Sequence, residues 1–126
     1  MRFGEFITSV VRDGDVDAVL HPVAFSQDGS FASWHSFVRT RALEHQVYWC
    51  SINRAGSGWG HSIVCPPWYE HDSEVMTFSE SESLRVVELD KGRLLQARQT
   101  FPLSVDRLES YADIKLAHYV DDDRTC

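Results

Sequence analysis

A chain of 126 residues, 43% of them apolar, has material for one modest core and not for two. Its formal charge of -7 would repel phosphate backbones and anionic membranes, and its 12 Lys and Arg residues are scattered, so no nucleic acid and no membrane is expected as a partner. Cys50, Cys65 and Cys126 form no C-x-x-C pair, which argues against a disulfide framework or a zinc ribbon, and with no apolar stretch of about twenty residues and no basic-then-apolar start a soluble, cytoplasmic protein is expected.

Phe3, Phe6, Ile7, Val10 and Val11 recur at helical spacing before Asp13-Gly14, which predicts an amphipathic helix over 2–13. The run from Asp17 to Phe25 is almost continuously apolar, as in a strand buried on both faces, although Pro22 should stop or bulge its pairing. Ser30 is placed to cap a second helix over 31–46 with its hydroxyl, and Phe31, Trp34, Phe37, Val38, Ala42 and Leu43 make that helix's apolar stripe. Residues 47–52 are rich in β-formers and read as an interior strand, which Asn53 to Gly58 breaks. Further strands are predicted at 61–65, 74–78 and 84–89 as an antiparallel meander. Asp90 can then cap a short helix carrying Leu94, Leu95 and Phe101, closed by Pro102. The expected organisation is one folded unit over 1–102 and an extended tail over 103–126.

Helix, strand, helix and then several strands give an α/β layered unit with helices on one face of its sheet. Too few helices remain to cover the other face, so its cover should come from a missing N-terminal half or from another subunit, as in a homo-oligomer.

The stretch from Arg39 to Gly56, R-T-R-A-L-E-H-Q-V-Y-W-C-S-I-N-R-A-G, resembles the nitrilase-superfamily pattern R-A-x-E-N-Q, a strand, then N-R-x-G. Arg2-Phe-Gly-Glu5 resembles R-F-P-E, residues 60–66 resemble G-x-S-x-I-x-D-P, and residues 101–107 resemble a closing P-x-x-x-D-R element. Gly4 stands where the pattern has proline, His45 where it has asparagine, and Cys65 where it has aspartate. The resemblance implies a partial nitrilase-type α-β-β-α sandwich. It also implies kinship with enzymes that hydrolyse small amides, nitriles or carbamoyl compounds, without a cofactor, through a glutamate base, a lysine and a nucleophilic cysteine. In the family's C-x-D-x-R-F-P-E motif the nucleophile would fall three positions ahead of Met1, with the glutamate and lysine further upstream. No catalytic residue is therefore expected within this chain, and the chain alone is expected to be inactive. A non-catalytic oligomerisation or interaction module of the same descent is the alternative.

Glu44 is the tempting carboxylate, but the resemblance implies that it holds arginines and loops around the nucleophile turn. Arg2, Arg41 and Arg54 could bind a substrate carboxylate; structural pairing with Glu5 and Glu44 is the favoured expectation, with Asn53 bracing the same region. By the same resemblance His21, Pro22, Val23, Ala24 and Phe25 line the acyl pocket of the complete enzyme together with Trp34, although a plain strand-to-loop transition explains 21–25 equally well. Cys50 and Cys65, in apolar strands, are expected to act as small hydrophobes rather than nucleophiles. His35 and His45 are ten residues apart, as are His61 and His71, which is not the spacing of a helical metal site.

Overall fold

The computed structural model describes residues 3–110. The elements run α1 (Gly4–Gly14), β1 (Ala18–Val23), α2 (Phe31–His45), β2 (Tyr48–Asn53), β3 (Ile63–Cys65), β4 (Met76–Thr77), α3 (Lys91–Thr100) and α4 (Leu103–Asp106), with a 3-10 turn at Asp72–Glu74. The strands form one sheet in the order β1-β2-β3-β4. β1 and β2 are parallel, with α2 as the crossover that parallel pairing demands, and β3 and β4 follow antiparallel.

Register explains the layering. Ala18 pairs with Tyr48, Leu20 with Cys50 and Pro22 with Ile52, while Cys50 pairs with Val64 and Val64 with Met76. Because successive side chains alternate across a strand, these residues share one face, and Val19, Trp49, Ser51, Ile63 and Cys65 share the other. The second face carries the core: Trp49, Ile63 and Cys65 are fully buried against Val38 and Ala42, with Trp34 and Ile7 beside them. α2 supplies this cover through Trp34, Val38, Ala42 and His45, one residue per turn.

Four expectations about the strands and the end of the folded unit are corrected. β1 is not buried on both faces: Leu20 is 75% exposed at the edge of the outer face, where no helix of the described chain covers it, although Tyr48, Cys50 and Val64 nearer the middle of that face are buried beside residues 78–88. Pro22 does not interrupt pairing; the parallel register continues to Val23 and Asn53, since β1 is an edge strand and proline's missing N–H costs a ladder bond only where a partner faces it. The strand expected at 84–89 is absent, and Leu84 and Val86 are 96% and 97% exposed, their alternation finding no neighbouring strand to pair with. Pro102 does not end regular structure either, because Leu103–Asp106 form one more helical turn where an extended tail was expected. The rest of that expectation, beyond residue 110, lies outside the described residues.

The helix ends show which local signals acted. Asp90 caps α3 as expected, its carboxylate accepting from the Gly92 amide at 2.7 Å. Ser30 does not cap α2 with its hydroxyl; Asp28 instead accepts from the Ser30 amide at 2.8 Å and from its hydroxyl at 2.7 Å. At the other end of α2, Gln46 adopts a left-handed conformation at φ 49° and donates its side-chain amide to the carbonyls of Ala97 and Phe101. That contact ties α3 to α2, and Arg98 completes the joint by bonding Asp17 and the carbonyls of Val16 and Gln46.

Candidate functional site

The sequence-identified residues gather in two places, one at the carboxyl ends of β1 and β2 and one at the contact of α1 with α2. At the first, Asn53 is the last residue of β2 and its side chain is a clasp. Its carbonyl oxygen accepts from the Phe25 amide at 2.9 Å, and its amide nitrogen donates to the carbonyls of Phe25 and Gly60, both at 2.8 Å. Ser62 accepts from the Asn53 backbone amide at 2.9 Å. One buried amide thus fixes the exit of β1 and the approach to β3 together, and it must, because an unbonded amide buried there would be costly.

One step down the strands, Ser51 accepts from the Trp34 indole at 3.0 Å and bonds His21 Nδ1 at 2.9 Å. Burial holds His21 below the ordinary histidine value, so a neutral ring is favoured. Phe25 stacks on Trp34 at 5.3 Å between centroids, and Phe31 meets the same indole edge-on. His21, Val23, Phe25 and Trp34 therefore belong to the helix-covered layer, with Pro22 and Ala24 exposed between them. A groove at this end of the sheet runs over the opposite face, bordered by Leu20, Cys50, Ile52, Val64, Phe78 and Leu84, and residues 21–25 and Trp34 do not border it. They hold the strand end in place rather than wall that groove.

Gly60 shows how tightly the region is drawn. It sits at φ 80°, and a Cβ there would lie 2.4 Å from the Glu80 backbone, so only glycine fits. Gln27 bridges the same loops, donating to the Trp59 carbonyl at 2.7 Å and to Glu80 at 3.0 Å. Ser51, Ser62, Gly60 and Gln27 were not legible as site residues, because each acts through partners 7 to 53 positions away.

At the second place, Arg41 and Glu44 pair at 2.6 Å across one turn of α2. The Arg41 guanidinium lies against the start of α1, where a Cβ on Gly4 would come within 3.0 Å of it. Arg107 stands 4.0 Å from the other oxygen of Glu44, and His45 Nε2 stands 3.7 Å from the first. The expected Arg41 pairing is thus present. Arg54 behaves otherwise: its guanidinium covers the Trp59 ring at 4.5 Å, a cation–π contact rather than an ion pair. Glu5 is exposed and has no ion pair among the described residues. Arg2 lies outside them.

Neither of the two cysteines among the described residues, Cys50 and Cys65, is poised for attack. Burial pushes the Cys65 thiol up to about 12 and the Cys50 thiol up as well, which suppresses the thiolate that nucleophilic chemistry needs. Among the described residues no group of three or more His, Cys, Asp and Glu side chains is placed to hold a metal ion, and no helix there is long and apolar enough to cross a membrane.

No family model matches the chain. It is 32% identical to the omega-amidase Nit3 of Saccharomyces cerevisiae over 90% of its own length and 40% of that protein's. It is 30% identical to the deaminated glutathione amidase of Bos taurus over 82% of its length and 32% of that protein's. The crystal structure of the yeast Nit3, a member of branch 10 of the nitrilase superfamily, superposes with a TM-score of 0.68 at 31% identity, covering 82% of this chain and 39% of that one. The chain thus spans about two fifths or less of the relatives it matches. Matched in sequence and in fold across most of its own length, this chain belongs to the nitrilase superfamily of carbon-nitrogen hydrolases.

Proposed function

We propose that this chain is the C-terminal part of a carbon-nitrogen hydrolase whose complete form hydrolyses a small amide, and that the chain alone is inactive. Nitriles and carbamoyl compounds are the neighbouring substrate classes, and amides take precedence because two of the relatives are amidases by name. In the complete enzyme a glutamate base, a lysine and a cysteine nucleophile would come from polypeptide outside this sequence. The chain's own residues give the scaffold: Asn53 fixes two loops, and the Glu44–Arg41 pair anchors the start of α1, the segment that the resemblance places directly after the nucleophile turn.

One observation carries this reading. The outer face of the sheet carries no helix among the described residues, and its apolar margins at Leu20, Ile52 and Met76 are left exposed in a protein spanning 40% of a relative. A second layer from the remaining part would bury it. The test is complementation: the purified chain is assayed for release of ammonia from an omega-amide, alone and mixed with the segment of the yeast omega-amidase that this chain does not match. The expected result is no turnover alone and turnover in the mixture. Turnover by the chain alone that disappears in Cys50→Ser or Cys65→Ser would overturn the proposal.

A second reading, an interaction or oligomerisation module, is favoured by a different surface. Phe3, Phe6 and Val10 lie on the outward side of α1, Phe6 being 65% exposed, while Ile7 turns inward. If the pure chain sediments as a folded dimer and no complementation occurs, this reading replaces the first.

A further inference from the structure

We propose that His45 and Glu44 form a proton-sensitive latch which, when His45 takes up a proton, releases Arg41 and with it the first turn of α1 from α2. The proposal concerns the chain itself and stands whether or not the complete protein is an amidase.

The His45 side chain is 1% exposed, and its Nε2 atom is buried without a hydrogen-bond partner. The nearest carboxylate oxygen is Glu44 Oε2 at 3.7 Å, within ion-pair range and too far for a hydrogen bond. That same oxygen already accepts from Arg41 Nη1 at 2.6 Å. The groups bordering this corner come from every element around it: Arg12 and Asp15 from α1 and its exit, Arg41 and Glu44 from α2, Arg98 from α3, and Arg107 after α4. Arg98 is held by Asp17 and two carbonyls, so it does not answer His45, and Arg107 stands 4.0 Å from Glu44.

A neutral imidazole is tolerated at this position, whereas an imidazolium is not unless a carboxylate closes on it. Desolvation holds the His45 pKa below 6.5; Glu44 opposes this and the Arg107 and Arg41 charges reinforce it. Once the proton arrives, Glu44 must serve a buried imidazolium and two guanidinium groups together. Its Oε2 cannot satisfy both His45 and Arg41 at hydrogen-bond distance without bringing two cations together, so the more solvated partner, Arg41, gives way. Arg41 is the side chain packed on Gly4 at the start of α1, and α1 otherwise reaches the core chiefly through Ile7 and Val11. The sign follows: because the folded pKa is depressed, the joint is intact above about pH 6.5 and weakens as pH falls below it.

The test is amide hydrogen exchange on the full chain, corrected for the intrinsic pH dependence of exchange. The expected result is that protection of the α1 amides falls relative to β2 between pH 7.5 and pH 5.5, by up to about tenfold, the limit set by one linked proton over the unit of pH below 6.5. In His45→Asn, and in His45→Gln as the second variant, α1 protection should no longer change with pH, while circular dichroism at pH 7.5 confirms the fold of each. Equal protection of α1 at both pH values, or the same loss in a folded variant, would overturn the latch.

Discussion

The two faces of the one sheet are built from the same strands and treated oppositely. On the inner face Trp49, Ile63 and Cys65 are fully buried under α2, and Ser51 and Asn53 among them are hydrogen-bonded, whereas the Trp49 indole nitrogen has no hydrogen-bond partner. On the outer face Leu20, Cys50, Val64 and Met76 form one register row whose two ends are open to solvent. Both rows are apolar, so composition does not distinguish them; the presence of a covering helix does. Half of a sandwich is stable where its layer is complete and adhesive where it is not.

That contrast can be broken from the inside first. Trp34→Ala removes a buried indole, its stack with Phe25 and its bond to Ser51, and should cost about 3–5 kcal/mol in urea denaturation. Asn53→Ala leaves the Phe25 amide and the carbonyls of Phe25 and Gly60 unpaired, and should cost about 2–3 kcal/mol, with faster hydrogen exchange at the Phe25 amide as its local signature. Gly60→Ala forces a side chain into a left-handed residue against the Glu80 backbone, and a loss of about 1–3 kcal/mol is expected by the same measurement. No loss in that variant would show that the two loops part freely.

The inner face should also respond to acid, and the outer face should not. His21 and His35 are both held below 6.5 by burial, chiefly through desolvation of the charged ring. The unfolded chain therefore takes up protons near pH 6.5 that the folded chain refuses, and stability falls as pH drops below that value until the depressed folded values are reached. The melting temperature should accordingly be lower at pH 5.5 than at pH 7.5, and His21→Asn should lessen the difference, His35 and His45 contributing the remainder. The smallest expected effect is at the opposite face: Leu20→Asp, on a side chain 75% exposed, should change the stability of the isolated chain by no more than about 0.5 kcal/mol. The same change should sharply reduce complementation by the missing part of a relative, if the outer face is where that part packs.

The sequence disclosed the elements whose cause is local. Helical spacing gave α1 and α2 to within two residues, the β-rich run from Val47 gave β2, and Asp90 capped α3 as its side chain required. It failed where partners decide. Residues 84–89 have a strand's alternation and no strand beside them, and the Ser30 hydroxyl, at the N-cap, is engaged by Asp28 two residues back instead of by the helix. Pro22 stayed in register because β1 is an edge, which periodicity cannot reveal. At the site, the Arg41–Glu44 pair was readable because one helical turn joins them. Arg54 was not, since its partner Trp59 lies across a glycine-bent loop.

By itself, then, the sequence determined helices α1 to α3, the interior strand and the family resemblance, because these rest on periodicity and on motifs a few residues long. Only the tertiary structure decided that Asn53 clasps Phe25 to Gly60, that Arg54 faces a ring, and that one side of the sheet is covered by a helix while the other is exposed at its margins. The physical reason is range: a hydrogen bond or a packed face joins groups by position in space, and in this chain the decisive partners stand up to 28 residues from Asn53 along the backbone.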